Sequence, residues 1–348
     1  MADLELRKIS KQFDQQFAVR DINLHVQNGE LVVLLGPSGC GKSTLMRLIA
    51  GLETPTNGQV LIGGQDKTEL RPKDRNVALV FQSYALYPHL SIYENIAFPL
   101  RVRGMTDKAV DEKVLWAARL LDIERLLQRK PRQTSGGERQ RTALARSLVR
   151  NPAVFLLDEP LSNLDAKMRH AAREELRSFQ HQVKATWIHV THDQTEAMGL
   201  GDRIVVMDKG RVRQIGTPSE IYQNPADTFV ATFVGSPPMN LIEMSDHILG
   251  FRPESCLPTA YFENESDLFK FSFLLQRAEY LGNETLLYAL TQAPLKTTKM
   301  IARIPSTLRL DVHPGDLCEF AVRRSDLRFF SAGDDGVSID RPVGALRG

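Results

Sequence analysis

Apolar residues in the first two thirds of the chain fall into short continuous runs separated by glycine-bearing turns and helical stretches. The run Leu31–Leu35 is apolar at every position, which is typical of a strand covered on both faces of a parallel sheet. Comparable runs follow at Val77–Phe81, Ala153–Leu157, Thr186–Val190 and Arg203–Met207. Between the second and third runs, Lys108–Gln128 carries helical spacing with many charges and alanines. The pattern therefore predicts an α/β domain with a helical insert at about residues 88–150.

A proline-rich joint, Gly235–Pro238, precedes a C-terminal part with a different pattern. Short stretches of β-forming residues alternate there with turn residues, as in a small β-barrel or sandwich. We therefore predict two domains, residues 1–235 and residues 236–348, of which the second is a β-rich accessory domain.

Composition narrows the class of protein. Of the 348 residues, 42% are hydrophobic and 25% charged, as in an ordinary globular protein, and no run approaches the ~18–20 apolar residues of a membrane span. The first residues lack the apolar core of a secretory signal, so we expect a cytosolic chain that reaches a membrane only through a partner. The 44 basic and 42 acidic residues nearly balance, which gives no footprint for nucleic acid. Three cysteines lie far apart, as expected of reduced thiols.

The segment Gly36–Ser43 matches the phosphate-loop pattern Gly-x-x-x-x-Gly-Lys-[Ser/Thr]. Its glycines allow backbone N–H groups to surround phosphate oxygens, Lys42 neutralises the β- and γ-phosphates, and the Ser43 hydroxyl suits Mg²⁺. A glycine turn with a surface lysine is the alternative, but a strand before the loop and a helical pattern over Ser43–Ala50 favour nucleotide binding. The predicted nucleotide-binding residues are Gly36, Pro37, Ser38, Gly39, Cys40, Gly41, Lys42, Ser43 and Thr44.

Polar side chains follow three of the predicted strands. Asp158 and Glu159 end the run Ala153–Leu157, where Asp158 suits Mg²⁺ and Glu159 suits the activation of a water molecule. His192 and Gln82 follow two other strands and are the candidates for contact with a γ-phosphate. A turn-capping role for the acids and a structural role for the histidine and glutamine are the alternatives. Downstream of a phosphate loop, we favour the catalytic interpretation, with Lys42 as the fourth catalytic residue.

A glycine pair, in Ser135-Gly136-Gly137-Glu138-Arg139-Gln140, precedes the helical run Arg141–Val149. A flexible turn is the alternative interpretation, but in this order of motifs the segment resembles the signature of the ABC ATPases. By this resemblance Gln82 corresponds to the Q-loop glutamine, Ser162–Asp165 to the D-loop and His192 to the H-loop histidine. The resemblance also implies that Phe13 stacks on adenine, and that Arg132, Ser135, Gly136, Gly137 and Asp165 join the nucleotide-binding residues.

The resemblance implies a fold and an assembly. The fold is a P-loop NTPase (RecA-like) core with a helical insert subdomain, followed by a small C-terminal β-barrel of the OB-like (TOBE) type. The cofactors are ATP and Mg²⁺, with Ser43, Gln82 and Asp158 as the metal site. Because one chain has one phosphate loop and one signature, two copies would complete two composite sites. The family's Leu-Ser-Gly-Gly-Gln is Thr134–Glu138 here, from which we expect normal hydrolysis with weaker affinity.

The resemblance also indicates partners. The aromatic-rich segment Gln82–Ile96 resembles the region where importer ATPases receive two transmembrane permease subunits, and the contact candidates are Tyr84, Ala85, Tyr87 and Pro88. Packing of these aromatic residues in the protein's own core is the alternative. This implies a peripheral protein at the cytoplasmic face of the inner membrane, acting indirectly with an extracytoplasmic solute-binding protein.

Three C-terminal segments resemble the accessory domain of maltose-type importers: Phe233–Asn240, Gly250–Glu254 and Glu279–Thr285. The implied solute is an oligosaccharide, a glycoside or a polyol-type molecule. Only nine residues separate Asn240 from Gly250, so we predict a shortened accessory domain. An importer of a polyamine, sulfate or iron remains an alternative, and a soluble ABC ATPase without a transport role is a further one.

Overall fold

The computed structural model of the chain describes residues 2–162, 166–262, 265–293, 295–308, 310–333 and 335–342. Two compact units divide the chain, Met1–Pro218 and Ser219–Gly348. The boundary between the units lies at Pro218, upstream of the predicted boundary at Gly235, because the residues between these two positions pack with the second unit. There the buried Arg252 guanidinium donates to the carbonyls of Tyr222, Ala231 and Val234.

The first unit contains ten strands and the first six helices among the described residues. In chain order they are β1 (Leu4–Phe13), β2 (Gln16–Val26), β3 (Leu31–Leu35), α1 (Lys42–Ala50), β4 (Asn57–Ile62), β5 (Gln65–Asp66), β6 (Val77–Val80), α2 (Ile92–Val102), α3 (Asp107–Leu120), α4 (Gly136–Leu148), β7 (Val154–Asp158), α5 (Ala166–Val183), β8 (Thr186–Thr191), α6 (Gln194–Leu200), β9 (Arg203–Asp208) and β10 (Arg211–Gly216).

A six-stranded sheet in the order β10-β9-β3-β8-β7-β6 carries the candidate site. Its five strands β3, β6, β7, β8 and β9 run parallel, and β10 pairs antiparallel with β9. All five apolar runs of the sequence are strands of this sheet, which confirms the predicted α/β core. Every residue of β3 is buried, as expected for a central strand covered on both faces. Since the strands are parallel, their carboxyl ends meet at one edge.

A second sheet, antiparallel in the order β2-β1-β4-β5, was not predicted from the sequence. Its strands alternate buried and exposed residues, so their hydrophobic runs are short. One apolar core joins this sheet, α1 and one face of the parallel sheet, with Leu34, Leu45 and Leu48 among its buried residues. The helix that follows the phosphate loop is therefore fixed between two sheets.

The carboxyl end of α1 is closed by Arg75, a residue that the sequence pattern does not single out. Its side chain is 2% exposed, and its guanidinium donates to the carbonyls of Leu48 (2.6 Å) and Ile49 (3.1 Å) in the last turn. Gly51 follows with φ +75°, and a Cβ there would lie 2.4 Å from the Arg75 Nε. A cation at this end of α1 interacts favourably with the negative end of the helix dipole, and it satisfies carbonyls that lack an intrahelical partner.

The helical insert consists of α2, α3 and α4, as predicted. The helix that begins at Asp107 ends at Leu120, however, and does not reach Gln128. Asp122 adopts a left-handed φ of +52°, and a short 3-10 turn follows at Glu124–Leu126. A left-handed residue cannot continue a right-handed helix, so the single helical pattern is broken there.

The second unit is antiparallel β structure after two short helices. In chain order it contains α7 (Pro218–Gln223), α8 (Thr228–Phe233), β11 (Asn240–Glu243), β12 (His247–Phe251), β13 (Leu257–Pro258), β14 (Leu268–Tyr280), β15 (Glu284–Thr291), β16 (Lys299–Pro305), β17 (Leu317–Arg323), β18 (Arg328–Ser331) and β19 (Ser338–Ile339). Its two sheets, β13-β17-β14-β15-β16 and β11-β12-β18-β19, share a core in which Phe251, Phe273 and Phe320 are almost fully buried. The curled sheets form the predicted barrel-like domain. None of the described helices combines the length and apolar character needed to cross a bilayer.

Candidate active site

The phosphate loop lies between the carboxyl end of β3 and the start of α1, as predicted. Gly36 packs so closely that a Cβ there would lie 2.3 Å from the Met207 carbonyl oxygen, and one at Gly41 would lie 2.5 Å from the carbonyl oxygen of Ala18. Gly39 has φ +80° with open space around its Cα. The loop therefore requires glycine for close packing at its two ends and for a left-handed backbone at its exposed middle.

Lys42 lies inside this loop rather than on the protein surface. Its side chain is 6% exposed, and its ammonium donates to the carbonyls of Gly36 (2.7 Å) and Pro37 (3.0 Å). The Cys40 sulfur is 3.7 Å away, and burial raises the pKa of that thiol. Lys42 is thus held inside the loop by neutral carbonyl acceptors, and the surface-lysine alternative is wrong.

The first turn of α1 offers unused donors. Gly41 is its N-cap with φ +106° and no side-chain cap, and no acidic residue occupies the first turn. Ser43 is exposed, and its hydroxyl makes no hydrogen bond with the rest of the described chain. The uncapped N–H groups and the positive end of the helix dipole suit phosphate oxygens. Thr44 lies in the same turn and Pro37 and Ser38 lie in the loop before it, and their contact with a nucleotide stays a prediction.

Asp158 is the last residue of β7 and lies at the edge of the sheet where β3 also ends. Burial, and then the neighbouring Glu159 carboxylate, raise the pKa of Asp158, while Arg47 and Lys42 act in the opposite direction. A carboxylate that is partly desolvated beside a second carboxylate gains from a nearby cation. The electrostatics of this edge therefore favour a cation.

Glu159 adopts a left-handed backbone, with φ +44°, and its N–H donates to the Val190 carbonyl across the sheet (3.0 Å). A non-glycine residue is rarely found there, and such strain persists only where the surroundings hold it. The turn directs the carboxylate to two predicted partners: Oε1 is 3.1 Å from the His192 Nδ1, and Oε2 is 3.5 Å from the Gln82 Nε2. Three predicted catalytic residues thus meet at one point.

Ser162 is a further member of this cluster that the motifs do not single out by themselves. Its hydroxyl accepts from the Gln82 Nε2 (3.0 Å) and donates to the Glu159 carbonyl (2.8 Å). It therefore links Gln82 to the backbone of the left-handed residue. Its sequence signals are its place at the start of the D-loop segment Ser162–Asp165 and its position three residues after Glu159; neither predicts the bond to Gln82.

The two histidines of β8 and the following turn differ in environment. His189 is 1% exposed, and its Nε2 lies 2.5 Å from a Glu196 carboxylate oxygen inside the protein. The His192 side chain is 58% exposed at the strand exit. His189 is therefore structural, and His192 is the exposed histidine of the two; its contact with a γ-phosphate stays a prediction.

The signature segment begins α4. Ser135 is the N-cap, and its hydroxyl accepts from the Glu138 N–H (3.3 Å) while the Glu138 carboxylate accepts from the Ser135 N–H (2.8 Å). The Ser135 N–H bond, together with Arg125 at 3.4 Å, lowers the pKa of Glu138. The carboxylate is therefore used within its own capping box. Gly136 and Gly137 occupy the first turn, and a Cβ at Gly137 would meet nothing within 4 Å.

Thr134, which replaces the family's leucine, is 7% exposed. Its hydroxyl donates to the Pro131 carbonyl (2.8 Å), and its own carbonyl accepts from Arg139 (2.7 Å). The substituted position is thus satisfied locally. Arg132 is exposed in the preceding 3-10 turn, and its predicted contact with nucleotide stays a prediction. Asp165 lies outside the described residues.

Phe13, the predicted adenine platform, ends β1. Its ring is 46% exposed, with the Lys11 ammonium 5.0 Å from the ring centroid. Phe17 on the neighbouring strand is 41% exposed, with the Arg20 guanidinium at 5.1 Å. Two exposed rings therefore occupy this hairpin, and the stacking role of Phe13 stays a prediction.

The four predicted permease contacts divide into exposed and buried residues. Ala85, Tyr87 and Pro88 are exposed, and the Tyr87 ring lies 4.8 Å from that of Phe98 on α2, which is 41% exposed. Tyr84 is only 4% exposed, and its hydroxyl donates to the Pro160 carbonyl (3.2 Å). The Tyr84 ring is therefore packed inside the protein, on a residue with a left-handed backbone, and its contact with a permease stays a prediction.

Known proteins match this chain closely. Residues 19–162 match the family model described as ABC transporter. An osmoprotective compounds uptake ATP-binding protein of Synechocystis is 43% identical, over 95% of this chain and 98% of that protein. An sn-glycerol-3-phosphate import ATP-binding protein of Rhodopseudomonas palustris is 44% identical, over 96% and 98%. A trehalose/maltose import ATP-binding protein of Thermococcus litoralis is 53% identical, over 70% and 67%.

A solved structure agrees with the fold of the first unit. It is the dimeric, post-hydrolysis ATP-binding cassette MJ0796 bound to ADP and Pi, with a TM-score of 0.54 and 30% identity, covering 62% of this chain and 98% of that one. The two alignments that span nearly all of this chain give no support to a shortened C-terminal domain, which stays a prediction. With the phosphate loop, the paired acids and the signature in family order, the chain belongs to the ATP-binding subunits of ABC transporters and is an ATPase.

Proposed function

We propose that the chain hydrolyses Mg·ATP with Glu159 as general base and, as one of two identical copies, powers import of a carbohydrate-type solute. The observation that carries the hydrolytic part is the meeting of Glu159, His192 and Gln82 at the sheet edge where the phosphate loop also lies. A carboxylate held between a histidine and an amide is fixed in direction, as a base that activates one water molecule must be.

The residues fit distinct roles in this reaction. Lys42 and the N–H groups of α1 bind the β- and γ-phosphates, and His192 hydrogen-bonds the γ-phosphate from the opposite side. Ser162 fixes Gln82 relative to Glu159. Lys42 and His192 thus bind the phosphates, Ser162 and Gln82 orient the Glu159 carboxylate, and Glu159 accepts a proton from water.

A Mg²⁺ ion fits the oxygen groups at this edge. The Ser43 hydroxyl is unused within the described chain, and the raised pKa of Asp158 marks a site where a cation relieves repulsion. Hydroxyl, carboxylate and amide oxygens, here from Ser43, Asp158 and Gln82, are ligands that Mg²⁺ accepts. When bound, the ion neutralises charge on the β- and γ-phosphates.

Two copies are required in this proposal because the signature residues Ser135, Gly136 and Gly137 serve the nucleotide of the other copy. Gly136 and Gly137 form the first turn of α4, and a Cβ at Gly137 would meet nothing within 4 Å, so this turn is open to an anion from outside the chain. The Ser135 N–H is already used within the capping box. The dimeric cassette to which the first unit is similar supports this assembly. The exposed residues Ala85, Tyr87 and Pro88, beside Phe98, are proposed to receive the permease at the cytoplasmic face of the inner membrane.

The solute class rests on the relatives. Their names concern trehalose or maltose, sn-glycerol-3-phosphate and osmoprotective compounds, and at least two of these classes consist of sugars or polyol derivatives. We therefore propose a carbohydrate or polyol derivative. The solute class can be tested with the complex reconstituted with its permease and binding protein. The measurement is the stimulation of its ATPase activity by a sugar panel, sn-glycerol-3-phosphate, sulfate and spermidine. Stimulation by sulfate or spermidine alone would refute the solute class.

Glu159→Gln tests the hydrolytic assignment. The amide cannot accept a proton from water, so turnover should fall at least about 100-fold while ATP affinity stays within a few fold. The variant should also accumulate as an ATP-bound dimer, visible by light scattering. Glu175→Gln, an exposed carboxylate on α5, is the matched control and should behave as wild type. Native turnover in Glu159→Gln would show that another group is the base.

A further inference from the structure

Arg146 lies on the signature helix α4, yet its side chain contacts the loop after Gln82. Its guanidinium donates to the carbonyls of Tyr84 and Ala85, each at 2.7 Å. The same group lies 5.7 Å from the centroid of the Tyr87 ring. One side chain therefore binds three residues of the loop at once.

The loop that Arg146 holds has a strained backbone. Tyr84 has φ +62° and Ala85 has φ +46°, both in the left-handed region that disfavours residues with a Cβ. Two consecutive residues in this region persist only where the surroundings hold them. The Arg146 bonds fall on the carbonyls of these two residues, so they stabilise this conformation directly. A planar guanidinium with several fixed donors is suited to two neighbouring carbonyls.

The strained loop begins next to the catalytic cluster. Gln82, two residues before Tyr84, donates to Ser162 and approaches Glu159. The Tyr84 hydroxyl donates to the carbonyl of Pro160, which follows Glu159. The position of Gln82 therefore depends on the conformation that Arg146 maintains.

The other end of α4 carries the signature. Ser135 is its N-cap, and eleven residues of continuous helix at 1.5 Å each place Arg146 about 16 Å along the axis. Arg146 is therefore a residue through which the helix that begins at the signature contacts the loop after Gln82.

We infer that Arg146, on the signature helix, is a positioning residue that holds the loop after Gln82 and thereby fixes Gln82 in its catalytic position. The inference deepens the proposed function and rests on its assignment of Gln82 and Glu159 to hydrolysis. Arg146 acts through the loop, since its hydrogen bonds are to Tyr84 and Ala85 rather than to Glu159 or His192. Burial lowers the pKa of the Arg146 guanidinium, and an arginine side chain stays charged at neutral pH.

Arg146→Met in the full-length chain removes both bonds while retaining most of the side-chain volume. The expected result is a kcat at least about tenfold lower with an ATP affinity, by fluorescent-nucleotide titration, within about twofold of wild type. Arg146→Lys keeps the charge but cannot match two carbonyls with a fixed fork. Its kcat should therefore lie between the kcat of the wild type and that of Arg146→Met. Arg141→Met, on the same helix and paired with Glu175, should leave kcat unchanged.

A double-mutant cycle with Gln82→Ala separates positioning from general destabilisation. If Arg146 acts through Gln82, the double variant should hydrolyse ATP within about twofold of Gln82→Ala alone, because the second change has nothing left to displace. A loss equal to the product of the two single losses would overturn the inference. Should Arg146→Met fail to fold by circular dichroism, the same cycle with Arg146→Lys distinguishes the two outcomes.

The failure of this inference is distinguishable from failure of the proposed function. Wild-type kcat in both Arg146 variants, with Glu159→Gln inactive, refutes only the positioning role of Arg146. Native turnover in Glu159→Gln refutes the hydrolytic assignment, whatever the Arg146 variants do.

Discussion

At the scale of single residues, Asp158 combines a functional position with an unfavourable environment. Burial and the adjacent Glu159 carboxylate raise its pKa, so the folded chain binds a proton at Asp158 more tightly than the unfolded chain does. Its favourable contribution to stability is therefore complete below the ordinary value of 3.8 and is lost as the pH rises through the folded pKa. At neutral pH, the charged carboxylate destabilises the nucleotide-free fold, and in the proposed function the same charge attracts the Mg²⁺ ion.

Asp158→Asn should consequently stabilise the nucleotide-free chain at pH 7 while abolishing ATPase activity. We expect a Tm roughly 1–3 °C higher, since the amide keeps the shape and removes the charge. The difference should shrink when thermal unfolding is repeated near pH 4. Asp311→Asn, at an exposed position, is the control and should leave Tm unchanged at both values. A lower Tm for Asp158→Asn at pH 7 would contradict this account.

Candidate site residues could be predicted from the sequence where the residues that act together are also neighbours in the chain. The phosphate loop and the two acids at the end of β7 are contiguous motifs, so their residue types and order suffice. The contact of Ser162 with Gln82 and that of Arg146 with Tyr84 could not be predicted this way, because each joins residues about sixty to eighty positions apart. Tyr84 shows the same limit, since only the folded loop reveals that its ring is buried.

At the scale of elements, the signature helix shows how a departure from the family pattern can be neutral. Glutamate at position 138 completes a capping box with Ser135, and the Ser135 N–H bond lowers the pKa of its carboxyl. The contribution to stability is present above the ordinary value of 4.5 and is lost as the pH falls through the folded pKa. The charge is used by α4 itself, so it need not oppose a nucleotide.

Glu138→Ala should destabilise the chain by about 1 kcal/mol, as expected for loss of half a capping box. Glu138→Gln should cost less, about 0.5 kcal/mol, because an amide oxygen still accepts from the Ser135 N–H. Urea unfolding at pH 7 measures both. Glu112→Ala, at an exposed position in the middle of α3, serves as the neutral control. Equal stability of Glu138→Ala and wild type would show that the box contributes nothing.

The parallel strands were predictable and the antiparallel sheet was not, for one physical reason. A strand buried on both faces, such as β3, is a continuous apolar run that differs from its flanks. A strand buried on one face, such as β1, alternates, and its irregular register with β2 obscures even that alternation. The break in α3 was likewise invisible because only the left-handed Asp122 ends the helix.

At the scale of the whole molecule, the chain consists of two units with separate cores. The second is held together at its start by Arg252, which is 6% exposed and lies 4.0 Å from the centroid of the Tyr222 ring. Its guanidinium satisfies carbonyls at the ends of α7 and α8. Methionine at this position would leave those carbonyls without a partner.

Arg252→Met should therefore destabilise the second unit by about 2–4 kcal/mol, since several buried acceptors lose their donor. ATP binding by the first unit should persist, because none of its site residues lies beyond Pro218. Differential scanning calorimetry should show a lowered transition for the second unit beside fluorescent-nucleotide binding of normal affinity. Arg277→Met, at an exposed position on β14, is the matched control. Loss of nucleotide binding together with the second unit would contradict independent folding.

The left-handed backbone at Glu159 has a consequence for inheritance. Glycine adopts φ +44° without strain, so replacement of the base by glycine removes a conformational penalty along with the activity. Such a chain would accumulate at normal abundance and escape quality control. In the proposed assembly it would also pair with functional copies and occupy permeases unproductively. Inactivating alleles at this codon should therefore be dominant, whereas alleles that unfold the chain should be recessive.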